Sequence, residues 1–370
     1  MGERVGAVEG LVLTPAFWRG KRVLVTGHTG FKGSWLSLWL TRLGAEVVGY
    51  ALAPKTDRDL YQLVGLGDAV TSVEGDVRDA RRLRDVIAQH RPEVVFHLAA
   101  QALVRASFTD PLETYATNVL GTANLLEAVR LEEGTRVVVC VTSDKCYENR
   151  ETERPYVEDD PMGGADPYSS SKGCAELVAY AYRRSFFPPE RAEAHGVSLS
   201  TARAGNVIGG GDWAADRLVV DVMRSNLEAR TLTIRNPDAV RPWQFVLEPL
   251  AGYLTLAERS WADPERFARA WNFGPELSDC RPVGWLVDRI AQAWGTSNAW
   301  TPATGPQPHE ARLLLLDAGL ARRELAWQPR LDLDEAVDWT VDWYRAFGAG
   351  SDVSALTLEQ IDTYTSRMIR

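Results

Sequence analysis

A chain of 370 residues, 45% hydrophobic and 25% charged, has the composition of a soluble globular protein of one large or two intimate domains. Its net charge of -9 argues against a nucleic-acid-binding surface, and no apolar run reaches the ~18 residues of a membrane span. The first residues carry Glu3, Arg4 and Glu9 instead of the apolar core of a signal peptide, and Cys140, Cys146, Cys174 and Cys280 form neither a CxxC nor a metal-type cluster, so a cytoplasmic protein with free thiols and no metal is expected. Of the 41 basic residues only five are lysines: Lys21, Lys32, Lys55, Lys145 and Lys172. Where Arg serves as the generic positive charge, the lysines that remain are enriched for sites needing a compact ammonium or a titratable amine.

Residues 1–20 read as a loose lead-in, with Phe17 and Trp18 packed on the body. The apolar run Lys21–Thr26 predicts a buried strand. Gly27-His28-Thr29-Gly30-Phe31-Lys32-Gly33 follows at once and leads into an apolar helix ending near Leu43. Strand, glycine turn and helix in this order make a dinucleotide-binding context. The glycines permit a tight turn and close approach of a pyrophosphate, whose charge sits at the helix N-terminus. Gly27, His28, Gly30, Phe31, Lys32 and Gly33 are candidate cofactor contacts, and Lys32 is read either as a phosphate support or as a helix-surface charge. The second strand, Glu46–Tyr50, runs into Ala51-Leu52-Ala53-Pro54. It offers no acid for an adenine ribose and no Arg for a 2′-phosphate, so it does not separate NAD from NADP. The third strand ends at Gly75-Asp76-Val77, where Asp76 either meets adenine or caps the helix that starts near Asp79. The fourth, Val94–His97, gives way to Leu98-Ala99-Ala100-Gln101, small residues that leave room for a cofactor across the sheet, while His97 is expected to pack within the strand. A long helix over Pro111–Arg130 carries Asn118, unfavourable in mid-helix unless its amide has a task.

Strand five, Arg136–Thr142, ends in Ser143-Asp144-Lys145. This sets a hydroxyl, a carboxylate and an amine at the carboxyl end of a strand, where open α/β sheets bind ligands. The next helix, Tyr168 to about Arg184, opens with Tyr168-Ser-Ser-Ser-Lys172, a spacing that puts both side chains on one face. A Tyr held this way, its pKa drawn down by a nearby cation, can take a proton from a sugar hydroxyl while hydride leaves the same carbon. Strand six, Val197–Arg203, leads to Asn206, after which the strand–helix alternation fades and Arg217, Arg224, Arg230, Arg235 and Arg241 accumulate with Trp213 and Trp243. A smaller substrate domain over the sheet's carboxyl edge is expected. Arg suits bidentate contact with a diphosphate, and Arg241 is the leading candidate, with Arg217 and Arg235 beside it. Trp271–Gly274 reads as a strand–loop returning to the core, and amphipathic helices over Val283–Trp294, Leu313–Leu325 and Leu333–Phe347 complete the body. The domain reading is therefore 14–205 for the dinucleotide, 206–350 mainly for the substrate, and 351–370 as a C-terminal tail.

TGHTGFKGSW, HLAAQALVRAS, TNVLGT, TSDKCYEN, YSSSKGCAE, RAGNVIGGGDWA and RNPDAVRPWQFVLEPL, in that order, resemble the extended short-chain dehydrogenase/reductase superfamily, and within it the nucleotide-sugar 4,6-dehydratases. SDKCYEN and GNVIGGGDWA are specific to the branch acting on CDP-glucose; the resemblance runs from about residue 14 to about residue 345. It implies an α/β fold with a Rossmann-type doubly wound parallel sheet, a tightly held NAD, and redox-neutral loss of water from a sugar oxidised at C4. It also implies a homodimer that pairs the 111–130 and 168–184 helices into a four-helix bundle. The implied roles are Tyr168 as the base at the C4 hydroxyl and Ser143 bonded to the same oxygen. Lys172 lowers the Tyr168 pKa and holds the nicotinamide ribose. Asp144 is the acid at the C6 hydroxyl, and Lys145 stands where dTDP-glucose relatives carry the Glu that removes the C5 proton. Thr142 and Arg203 lie by the cofactor, and Gln101 and Asn206 by the substrate. An NDP-sugar 4-epimerase or reductase remains the alternative, with a non-catalytic dinucleotide-binding protein as a third reading. Asp144-Lys145 weighs against the first, and the presence of both Tyr168 and Lys172 against the second.

Overall fold

Seven short apolar runs pair side by side: β1 Arg22–Thr26, β2 Glu46–Ala51, β3 Thr71–Glu74, β4 Val94–His97, β5 Val137–Val141, β6 Ser198–Ala204 and β7 Ala270–Phe273. The computed structural model describes residues 13–296, 300–303 and 311–368. The strands form one sheet in the order β7-β6-β5-β4-β1-β2-β3, and each neighbouring pair is parallel. Val-rich runs such as VVVCV in β5 are buried throughout, because helices cover both faces of a parallel sheet. Chain direction along the sheet reverses between β1 and β4, so a crevice opens at the carboxyl ends of these two strands. This is the expected Rossmann-type doubly wound sheet, and Trp271-Asn272-Phe273 returns to its edge as β7.

On one face lie α2 (Ala80–His90), α3 (Gly121–Leu131) and α4 (Pro167–Ser185), whose Leu83, Ile87, Leu125, Val129 and Ala179 pack on Leu24, Val95, Val138 and Leu199. The other face carries α1 (Phe31–Arg42) and the later helices: α5 (Leu218–Leu227), α6 (Leu247–Ala262), α7 (Val283–Trp294), α8 (Leu333–Gly348) and α9 (Val353–Met368). One apolar cluster joins Trp35 and Trp39 of α1 to Leu250 of α6, Trp343 of α8 and Tyr364 of α9. Segment 206–350 thus shares its core with the sheet domain.

Three expectations change. The 111–131 helix is interrupted by a π-turn at Ala116–Leu120, and Asn118 sits inside it. Such turns cost regular hydrogen bonding and recur at functional positions. Residues 351–370, expected as a tail, contain α9, whose Val353, Thr357, Ile361, Tyr364 and Met368 are buried at helical spacing. Tyr364 meets Trp39 edge-on and donates to Glu248, while Arg42 pairs with Asp362 at 2.8 Å. The helix expected over Leu313–Leu325 forms only from Gly319, because Leu313 and Leu316 are bridged to Val240 and Tyr156 in extended backbone. Residues 1–12 of the lead-in lie outside the described residues, but Trp18 is fully buried and donates to Glu258. No helix among the described residues is long and apolar enough to cross a membrane.

Candidate active site

The crevice is framed first by the glycine turn. Gly27 has φ +78 and donates to the Tyr50 carbonyl; a Cβ there would come 2.8 Å from the Ala99 nitrogen. A Cβ on Gly33 would come 2.0 Å from the Gly27 oxygen, so neither position admits a side chain. Gly30 is the N-cap of α1 and no side chain caps it, whereas Asp79 and Asp166 cap α2 and α4. The first-turn N–H groups of α1 are left for an anion. Leu98, Ala99 and Ala100 line the other side, half-buried. His28 turns inward instead: its Nε2 lies 2.7 Å from Ser72 Oγ, and burial pushes the imidazole down to about 4, so it is a neutral wall residue. Asp76 is not the helix cap, since Arg78 binds both of its carboxylate oxygens and Asp79 takes that role; Val77 packs over Gly121.

The chemistry-bearing residues come from the end of β5 and the start of α4. Ser143 opens a single 3-10 turn, Asp144–Cys146; its Oγ accepts from Lys145 N at 3.2 Å and donates to Asp144 Oδ1 at 2.9 Å. Asp144 is 2% exposed, and its Oδ2 has no hydrogen-bond partner. Gly205, after β6, makes room for that oxygen: a Cβ there would meet it at 2.4 Å. Lys145 is half-buried on the same turn.

Tyr168, Lys172 and Glu176 repeat at helical spacing along α4, all buried. Burial pushes the Tyr168 phenol up to about 12, opposed by the Ser143 hydroxyl and by Arg217. Lys172 was expected to draw this phenol down, but its amine donates to the Val141 carbonyl at 3.5 Å. Burial lowers Lys172 to about 8 against the support of Glu176.

Lys32 resolves an open alternative. It is only partly exposed, its Nζ lies 5.9 Å from the ring of Tyr253, and burial lowers it to about 7. Arg217 and Lys172 disfavour its charge and Asp144 favours it, so its electrostatic neighbours are those of the catalytic cluster. Arg217 stays with this cluster, paired to Asp212.

Other expected contacts are occupied elsewhere. Arg203 is 4% exposed and donates to Glu176, Tyr147 and the Glu158 carbonyl, so it braces β5 against β6 instead of meeting a cofactor. Its partner Glu176 also accepts from Thr142 and Thr201, and through this carboxylate Thr142 serves the same brace. Gln101 is latched by Leu103 and Thr114, which removes its amide from the substrate side. Asn118 finds the task its position demanded: it binds both the N–H and the carbonyl of Gln101 and donates to Ser171, fixing the strand-four loop to α4. Arg241 is 5% exposed and donates to the Ala311 and Arg312 carbonyls. Arg235 is half-buried and favours the charge of Asp221 on α5; Asn206, also half-buried, accepts from Gln244 through its carbonyl. Sequence reasoning missed Glu176, although its place four residues beyond Lys172 was the signal, and it missed Tyr253.

With this geometry in view, a family profile described as GDP-mannose 4,6 dehydratase matches residues 24–269. The chain belongs to this family. It is an extended short-chain dehydrogenase/reductase. It is 51% identical to a CDP-glucose 4,6-dehydratase of Salmonella typhimurium over 96% of this chain and 99% of that one. A dTDP-glucose 4,6-dehydratase of Streptomyces antibioticus is 30% identical, covering 87% and 92% of the two chains. Among solved structures, a dTDP-glucose 4,6-dehydratase of Streptomyces venezuelae with NAD bound matches with a TM-score of 0.76 at 24% identity, covering 90% of this chain and 99% of that one. That likeness is one of fold.

Proposed function

We propose that this site converts CDP-D-glucose to CDP-4-dehydro-6-deoxy-D-glucose, a redox-neutral dehydration serving deoxysugar biosynthesis, with NAD as the resident cofactor. The observation that carries the reading is Asp144: a buried carboxylate with one oxygen tied to Ser143 and the other without a partner, in the cluster of Tyr168 and Lys172. Oxidation or epimerisation at C4 needs a base at one hydroxyl. Loss of the C6 hydroxyl also needs an acid, and Asp144 is placed to be one. The 51% identical relative supports the same chemistry and the cytidine nucleotide.

The residues present fit NAD. The glycine turn leaves a cradle that any Cβ at Gly27 or Gly33 would fill, beside an uncapped helix start. Gly27, Gly30, Phe31 and Gly33 would hold the pyrophosphate, Leu98, Ala99 and Ala100 the floor, and Lys172 the nicotinamide ribose. Arg58, the nearest Arg after β2, lies over the Trp213 ring, which favours NAD over its 2′-phosphorylated form. When bound, NAD supplies a two-electron acceptor that takes a hydride from one carbon and returns it to another.

The chain's own groups move the protons. Tyr168 takes the C4 hydroxyl proton, with Ser143 bonding the same oxygen and Arg217 favouring the phenolate. The ketone formed at C4 acidifies C5, and Lys145 takes that proton as a neutral amine. Asp144 gives a proton to the C6 oxygen, the C6–O bond breaks, and water leaves. Arg217 and Arg235 face the diphosphate.

A homodimer completes the reading. Leu112, Leu120, Leu177 and Tyr180 are 56 to 80% exposed on the 111–131 and 167–185 helices, the faces that a four-helix bundle would cover. Four free cysteines and a nucleotide-sugar substrate fit the cytoplasm. Incubation with CDP-, dTDP-, UDP- and GDP-glucose, read by mass spectrometry, tests the function. Loss of one water from CDP-glucose is expected; unchanged mass with an inverted C4 by NMR would give the site to an epimerase.

A further inference from the structure

Three groups around the crevice are left incomplete by the fold. Asp144 Oδ2 is buried with no hydrogen-bond partner, and so is the hydroxyl of Tyr253 on α6. The amine of Lys32, on the first turn of α1, has Tyr253 beneath it and no ion pair among the described residues. An unpaired buried carboxylate oxygen and an unpaired buried amine are each costly, and a proton shared between them relieves both. Phe31 packs toward Gly209, so the turn that carries Lys32 is fixed by the core.

We propose that Lys32 belongs to the elimination machinery: its amine is the proton partner of Asp144, and the proton the pair shares is the one given to the departing C6 hydroxyl. The inference rests on the dehydratase reading and adds to it the residue that prepares the acid. In the resting pocket the pair holds one proton beyond carboxylate and free amine. That proton passes from Lys32 nitrogen to Asp144 Oδ2, and from Asp144 to the C6 oxygen. The C6–O bond breaks and its electrons leave with the water, while the C5–H electrons form the C5–C6 double bond and Lys145 receives the C5 proton. Lys32 is left as a neutral amine. The proton that Tyr168 collected at the C4 hydroxyl restores the balance through solvent, so the cycle takes up and releases none overall.

The pocket is built for such a transfer. Every element packed on Lys32 acts on its charge: Arg217 ahead of α5 and Lys172 of α4 disfavour the ammonium, Asp144 after β5 favours it, and Tyr253 of α6 offers a ring face. With burial, these bring the amine to about 7, where it gives up a proton readily. An Arg at this position could not do so, and the chain keeps one of its five lysines here. Lys32 acts through Asp144 and is a positioning residue in that sense.

The test uses the NAD-bound protein. Lysine 13Cε and 15Nζ labelling gives only five signals, and Lys32 is identified by its loss in Lys32→Met. The Lys32 signal should titrate near neutrality, and its midpoint should fall in Asp144→Asn, where the supporting charge is gone. A midpoint that stays in place in Asp144→Asn would overturn the pairing. In single turnovers with CDP-glucose, Lys32→Met should still reduce the bound cofactor, seen by near-ultraviolet absorbance, while water loss slows by about a hundredfold or more, and Lys32→Arg should not restore it. Weakened cofactor retention with normal water loss per bound NAD would return Lys32 to the phosphate cradle and overturn the proposal. A competent wild type matched by Lys32→Met fails this proposal alone, whereas a wild type that removes no water from any of the four nucleotide sugars fails the dehydratase reading with it.

Discussion

Replacing Glu176 by Gln should unsettle the catalytic helix without touching substrate. The carboxylate is 3% exposed and accepts from Arg203 at 2.8 Å, from Thr201 at 2.8 Å and from Thr142. Glutamine keeps the shape and loses the charge, leaving the Arg203 guanidinium, 4% exposed, without its anion. Breaking one partner of a buried pair costs about 3–5 kcal/mol, a large part of a total stability of about 5–15 kcal/mol. Because Glu176 also supports the charge of Lys172, already lowered to about 8 by burial, the variant should lose the Lys172 ammonium at lower pH. The alkaline limb of its pH–rate profile should move down accordingly. Urea unfolding of Glu176→Gln, Arg203→Met and the double variant measures the first effect, and the pH profile the second. A coupling energy below about 0.5 kcal/mol, with an unmoved alkaline limb, would refute the reasoning.

Glu248 is 1% exposed, and burial raises it from 4.5 to about 7 even though Tyr364 and two backbone N–H groups bond it. The folded state therefore holds this proton more tightly than the unfolded chain. Stability should fall as pH rises from about 4.5 to about 7, by up to roughly 3 kcal/mol. Glu248→Gln should remove that slope from thermal melts taken across pH, and an identical slope in the variant would contradict it; Glu258, also raised to about 7, leaves a residual dependence in both proteins. Gly205→Ala would drive a Cβ to 2.4 Å from Asp144 Oδ2, so water loss should slow by about a hundredfold while folding persists; unchanged turnover would show that the carboxylate has slack. Leu112→Glu with Leu177→Glu should give monomers by light scattering, and an intact dimer would place the interface elsewhere.

The sheet was legible because its strands are continuous apolar runs and its first turn announces itself: only glycine fits at Gly27 and Gly33, whatever surrounds them. Tyr168 and Lys172 were legible for a similar reason, since helical spacing alone puts them on one face. What the sequence hid was which polar side chain is consumed by the fold. Arg203, Gln101 and Arg241 have the chemistry of ligand contacts, yet partners brought from far along the chain occupy all three. Lys32 failed in the opposite direction, because helical position says nothing about Tyr253, 221 residues away in sequence, closing over it. The C-terminal helix was overlooked for want of a strong apolar stripe; Tyr364 and Thr357 satisfy their hydroxyls inside the core.

The central claim is an internal transfer from C4 to C6 with loss of water. It is tested most directly with CDP-glucose carrying deuterium at C4, the product being examined by mass spectrometry and NMR. A product lighter by one water with deuterium in the C6 methyl group is the predicted result. Deuterium retained at C4, or lost to solvent with the C6 hydroxyl intact, would contradict the account.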